Sequence, residues 1–227
     1  SNVQFGEGGA GTFSDGKLNT SVKDAGHRMK EVLKTFADMG ADESVTYVNK
    51  PHIGTDKLIK MVKNIRRKIE DLGGKYYFEH RLNKLLINDD KIIGIEVTDT
   101  GGNIKQFAAE NVVLAIGHSA RDTFEMLYNE HIPIEQKPFS VGARIEHKQS
   151  LINKAQYGAE KINGLGAADY KLAVHLKNGR SAYTFCMCPG GSVIAAASEQ
   201  GRVVTNGMSE YARDTENANA ALLVGVG

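Results

Sequence analysis

Four glycines fall within the six residues Gly6-Glu7-Gly8-Gly9-Ala10-Gly11, and this density is the strongest backbone constraint in the chain. Glycine reaches positive φ without strain and lets a backbone come close to another group. Ordering each one costs roughly 1 kcal/mol of backbone entropy relative to alanine. A plain tight turn needs one or two. Glycine supplies 25 of 227 residues against 4 prolines. Further clusters lie near 164–166, at 190–191 and at the C-terminal end. That pattern points to loops that lie against a ligand.

Gly6, Gly8 and Gly11 satisfy G-x-G-x-x-G literally. The dinucleotide fingerprint also needs a buried strand before it and a helix opening at its last glycine. Here five residues precede Gly6, and Thr12-Phe13-Ser14-Asp15-Gly16-Lys17 is too polar and too glycine-broken to open a core helix. The segment is therefore not a primary dinucleotide turn. Its amides suit an anion-binding concavity, with Thr12 and Ser14 as further donors and Lys17 as a charge. The plain alternative is a flexible surface loop.

Hydrophobic residues make up 41% and charged residues 24%, with a net charge of +1. These values fit an ordinary globular protein and give no sign of nucleic-acid or anionic-membrane binding. The apolar run from Val112 to Gly117 is far too short to span a bilayer. Two cysteines and no recognisable signal peptide lead us to expect a cytoplasmic protein without a disulfide framework.

Helical spacing predicts a helix over 22–39 stopped by Gly40, and a second from Thr55 to Gly73 with Thr55 as N-cap and Asp56 at the positive dipole end. Leu58, Ile59, Val62, Ile65 and Ile69 form its apolar stripe. Lys60, Lys63, Arg66 and Arg67 read as a solvated face. Five strands are expected at 75–79, 81–87, 91–98, 104–108 and 111–117, forming an antiparallel meander with turns at 88–90 and 100–103. Val112–Ile116, apolar without alternation, suits a strand buried on both faces. A short helix over 122–129 follows. Strands at 139–146, 172–176, 181–187 and 192–197 suggest a second, mostly β unit, with a division near residue 138.

Three further motifs carry possible chemistry. Gly117 ends an apolar strand where open α/β sheets bind ligands; His118 is a candidate contact or a loop histidine bonded to backbone. Cys186 and Cys188 point to one strand face, where they are buried small hydrophobes or a reactive thiol pair. Arg144 and Glu146 also share a face, so they bind an anionic substrate or pair with each other; Arg144 and His147 are the candidate catalytic groups. No Ser/His/Asp order, HExxH or EF-hand pattern supports a hydrolase or a metal site.

The stretch from Phe5 to Leu18 resembles the second glycine-rich segment of glutathione-reductase-type flavoproteins. The chain more narrowly resembles bacterial FAD-dependent (NAD(FAD)-utilising) dehydrogenases. The resemblance is carried by residues 50–56, 115–122, 139–147, 185–191 and 204–209. It implies an α/β fold: a partial FAD/NAD(P)-binding domain with an antiparallel meander (1–138), then a mixed α+β substrate domain (139–227). It implies hydride transfer between FAD and a small organic substrate or a nicotinamide, NAD(P). Cofactor contacts are then expected at Gly8, Gly9, Thr12, Ser14, Lys17, Gly117, His118, Gly190 and Gly191. The resemblance also implies that the true G-x-G-x-x-G unit precedes this chain and that a last flavin-contacting segment follows it. The alternative is a non-catalytic substrate-binding or interaction domain that binds no FAD by itself.

Overall fold

The computed structural model describes residues 3–4, 6–19 and 23–226. It has mixed α/β content with antiparallel sheets, and its contacts divide it into two compact units: residues 1–68 with 137–227, and residues 69–136. Phe5, which opens the stretch compared with flavoproteins, and Val22, at the start of the expected 22–39 helix, lie outside the described residues.

In the first unit, α1 is a single turn, Gly9–Thr12. Helix α2 spans Arg28–Asp38, shorter than expected. The Asp24 carboxylate explains where it starts, accepting the amides of Arg28 (2.9 Å) and Met29 (2.7 Å). Gly40 stops it as expected, at φ 112°, and the Ala41 amide returns to the Phe36 carbonyl at 2.9 Å. Helix α3 spans Thr55–Asp71. Its buried stripe is Leu58 and Met61 with Ile65 beside them; Ile59 and Ile69 are exposed. These residues pack with Ala41, Val45 and the fully buried Ile53.

The same unit contains a four-stranded sheet of order β4-β9-β6-β5. Its strands are β4 (Phe139–Lys148), β5 (Ala173–His175), β6 (Ser181–Cys188) and β9 (Asn217–Val226). β4 and β9 pair over their full length, from Phe139↔Val226 to Lys148↔Asn217. Alternation gives the sheet two faces. Ala218 and Ala220 pack with Met187, Ile152 of α5 (Gln149–Tyr157) and Tyr170. Arg144 and Asn219 occupy the other face, against Gly207 of the β7–β8 hairpin (Gly191–Ala195, Thr205–Ser209). β8 and α5 were not anticipated from sequence.

The second unit holds the expected meander: β1 (His80–Asn88), β2 (Lys91–Asp99) and β3 (Ile104–Ala108), in that order. Asp89 and Asp90, at φ 48° and 59°, make the first turn. The Asp99 carboxylate ties the second by accepting the amides of Gly101 and Asn103. Helix α4 covers Arg121–Asn129. Two expected strands are absent. Residues 75–79 instead lead into β1 by a turn, with Glu79 at φ 58°. Residues 111–117 have no strand partner among the described residues, and Val113 is 90% exposed. Apolar composition alone does not make a strand; it needs a neighbour to receive its amides and carbonyls. Among the described residues no helix is long and apolar enough to cross a membrane.

Gly54 and Gly158 share φ 79° in different surroundings. A Cβ on Gly54 would lie 2.2 Å from the Tyr211 nitrogen, whereas one on Gly158 has nothing within 4 Å. Gly158→Ala should therefore lower unfolding free energy in urea by about 1–2 kcal/mol, the left-handed penalty alone. Gly54→Ala should lose about 3–4 kcal/mol, because overpacking adds to that penalty. Equal losses would show that the 54–211 approach does not constrain the fold.

Candidate functional site

The glycine-rich segment is fastened at several points within its unit. Glu7 pairs with Arg66 at 3.0 Å, so one cation of the expected solvated face holds the loop. The Thr12 carbonyl accepts the Thr55 hydroxyl at 2.5 Å, so Thr55 serves the loop rather than its own helix as a cap. Residues 15–18 run antiparallel to 51–54: Leu18 N donates to Pro51 O, Ile53 N to Gly16 O and Gly54 N to Asp15 O. Ser14 is engaged within the loop. Its hydroxyl donates to Gly11 O at 2.7 Å and accepts from Gly16 N at 3.0 Å.

Asp15, only 3% exposed, is the loop's electrostatic anchor. Arg213 grips it with two bonds, Nε to Oδ1 at 2.8 Å and Nη2 to Oδ2 at 2.5 Å. Lys17 Nζ lies 2.5 Å from the same Oδ2 and donates to the Met187 carbonyl. Burial pushes the Asp15 carboxyl up, but the Arg213 and Lys17 contacts outweigh it and hold the carboxyl below its ordinary range. Lys17 is therefore a clamp between the loop and the end of β6. Beside it, His52 Nε2 donates to Tyr211 O at 2.9 Å and its ring stacks on Tyr211. Burial lowers the His52 pKa. The Tyr211 amide donates to Asp56 Oδ1 at 2.8 Å, and Lys57 Nζ sits 3.1 Å from the Tyr211 ring centroid.

The pairing of β6 with β9 breaks between Phe185 and Cys188, and Cys186 sits there at φ 45°. That bulge turns the two thiols apart: Cys186 is exposed and Cys188 buried. Burial pushes the Cys188 thiol up to about 11. It raises Cys186 too, against the pull of Lys17 and Arg144. Arg144 does not pair with Glu146. Its Nη1 donates to Asn219 Oδ1 at 2.7 Å and to Cys186 O at 3.2 Å, while Glu146 accepts from Asn217 at 2.8 Å. Arg144 Nε and Asn219 Nδ2 are buried without a partner among the described residues.

The other expected contacts fall in different surroundings. Gly190 and Gly191 are buried, and a Cβ on them would strike Arg213 O at 1.9 Å and Met208 O at 2.4 Å. Packing against the chain itself accounts for these glycines. Gly190 N also donates to the buried Gln149 side chain, and Ser209 Oγ to Pro189 O. His147 lies on the opposite face of β4 from Arg144 and meets the Tyr170 hydroxyl at 2.8 Å. In the second unit, Gly117 has φ 67° with nothing within 4 Å of a Cβ, and His118 is exposed. An open groove of about 760 Å³ lies along α2, lined by His27, Lys30, Lys34 and Asp38, and does not include the glycine loop. Among the described residues no three His, Cys, Asp or Glu side chains gather as metal ligands.

Two outcomes follow from this geometry. Asp15→Asn leaves Arg213 and Lys17 without their anion and should cost about 3–5 kcal/mol at neutral pH. Folding lowers the Asp15 pKa, so its contribution is complete above the ordinary value of 3.8 and fades as pH falls through the lower folded value. Urea titrations from pH 7 to 2 should show this acid-side loss in the parent chain and a shallower one in Asp15→Asn. Thiol counting at pH 7.5 should find Cys186 reactive in the native protein and Cys188 only after unfolding; rapid native reaction of both would contradict the burial of Cys188.

Residues 138–227 match the family described as "FAD-dependent protein, C-terminal domain-like". The whole chain is 53% identical to an uncharacterized protein of Clostridium beijerinckii over 228 residues. It spans 42% of that relative's length. The matched stretch contains Arg144, the Cys186–Gly191 turn and Arg213, and the glycine-rich segment is bound to it by Asp15 and Lys17.

Proposed function

We propose that the chain is part of an FAD-dependent oxidoreductase that moves a hydride between flavin and a small organic substrate, with a nicotinamide as the alternative hydride partner. The observation that carries this reading is the fastening of the glycine-rich segment, through Asp15–Arg213 and Lys17–Met187, to the part of the chain similar to FAD-dependent proteins.

The loop suits a nucleotide. Among the described residues, Cβ atoms built on Gly6 and Gly11 meet nothing within 4 Å, and one on Gly9 meets only Gln4 O at 3.9 Å. The backbone therefore presents an open face. Gly8 and Thr12 form its inner side, where a Cβ on Gly8 would lie 2.0 Å from Thr12 Oγ1. Thr12 Oγ1 is itself buried without a partner among the described residues. Gly8, Gly9, Gly11 and Thr12 are the residues that would hold FAD here; Ser14 and Lys17 set the loop's shape. Bound flavin supplies the hydride chemistry, and the protein positions it. Gly117 and His118 stand as the proposed contacts of the second unit.

Gly11→Val separates fold from cofactor, because the added side chain meets open space. The variant should melt within about 1 kcal/mol of the parent while its flavin absorbance after gel filtration falls roughly tenfold or more, a loss of about 1.4 kcal/mol in binding. The measurement is made on the longer protein that carries this chain. An undiminished flavin band in Gly11→Val would remove the loop from the cofactor site. A colourless longer protein with no thermal shift on adding FAD would favour the binding-domain reading.

A further inference from the structure

The end of β6 gathers more positive charge than the site described so far uses. Lys17 and Arg144 donate to the carbonyls of consecutive residues, Met187 and Cys186, so their cationic heads flank one turn. Arg213 bonds both oxygens of Asp15. Lys17 and Arg213 share the Asp15 carboxylate, and Arg144 forms no ion pair of its own among the described residues. Lys17 and Arg144 both act on the Cys186 and Cys188 thiols, which places both cations within electrostatic reach of the turn.

The donors are also in excess. Asn219 is fully buried, with its oxygen bound to Arg144 and its Nδ2 group unsatisfied; Arg144 Nε is unsatisfied beside it. A buried donor without an acceptor costs about 1–3 kcal/mol, and here two such donors belong to side chains that are bonded to each other. Gly207 packs closely over the pair: a Cβ there would fall 2.1 Å from Asn219 Oδ1 and 2.4 Å from Arg144 Nη1, so the hairpin backbone closes one side of the cluster. Exposed Cys186 marks the solvent side of the turn.

We propose that Arg144, Asn219 and Lys17 form a binding site for a carboxylate, which makes the substrate of this protein an organic acid. A carboxylate offers two acceptor oxygens to the two unsatisfied donors and one negative charge to the excess of cations. The carboxylate site stands on this cluster alone; its assignment to a substrate rests on the oxidoreductase reading above.

Cys186 is a built-in reporter. An anion seated between Arg144 and Lys17 disfavours the neighbouring thiolate, and a shift of about one pKa unit slows alkylation roughly tenfold. The longer protein carrying this chain is treated with iodoacetamide at pH 8 in sodium acetate, sodium succinate, sodium phosphate or sodium chloride at equal ionic strength. Saturable protection of Cys186 by acetate or succinate over chloride is expected, and Arg144→Met should abolish it. Asn219→Asp gives a second arm: its own carboxylate occupies the site, so the fold is retained and added carboxylates no longer protect. Equal rates in all four salts overturn the site, as does a folded Asn219→Asp in which added acetate or succinate still slows alkylation as much as in the parent. Protection by phosphate alone overturns the carboxylate assignment and returns the cluster to a phosphate group of the cofactor. The flavin band is read on the same samples. Protection without flavin leaves the anion site standing and removes the oxidoreductase reading; flavin without protection does the reverse.

Discussion

A carboxylate taken out of water must be answered by positive charge. Asp15 meets that requirement with Arg213 and Lys17, and much of the first unit is arranged around the outcome. The pairing of residues 15–18 with 51–54 brings Asp15 inward. Arg213, at φ 50°, turns back to reach it, and its carbonyl then lies where Gly190 must have no side chain. Lys17 carries the same cluster on to the Met187 carbonyl. One buried charge thereby fixes the relation of the glycine-rich segment, the Cys186–Gly191 turn and the 206–214 stretch.

The glycines divide by what surrounds them rather than by their number. Gly54, Gly190, Gly191 and Gly207 are glycine because another part of the chain stands where a Cβ would be. Gly6, Gly11 and Gly117 face open space. The second group leaves open backbone, and it includes the loop proposed to lie against FAD. Gly190 and Gly191 in the Cys186–Gly191 turn are packed against their own chain, and Lys17 and Arg144 grip the turn's carbonyls.

Local signals were legible in the sequence. Gly40, the helix after Gly54, the turns at 88–90 and 100–103 and the meander all follow from spacing and turn chemistry over a few residues. The failures involve partners far away in the chain. Val112–Ile116 has strand composition but no described neighbour to pair with. Arg144 and Glu146 share a face, yet each bonds instead to β9, whose register no local pattern reveals. Asp15 and Arg213 stand 198 residues apart, so their pairing left no trace in spacing. The side of Cys188 was read correctly as buried, but Cys186 escaped because a bulge reversed the alternation.

The position of β9 sets an order of assembly. It lies between β4 and β6, so neither of these neighbours can complete its ladder until residues 217–226 arrive. Pairings of such long sequence separation close slowly, because the chain entropy is lost before the contacts form. During synthesis β4 and β6 wait with bare edges while the meander of residues 80–108, built from neighbours, can already form. The stretch from residue 139 to 216 is therefore the segment most dependent on protection by the cell's folding machinery.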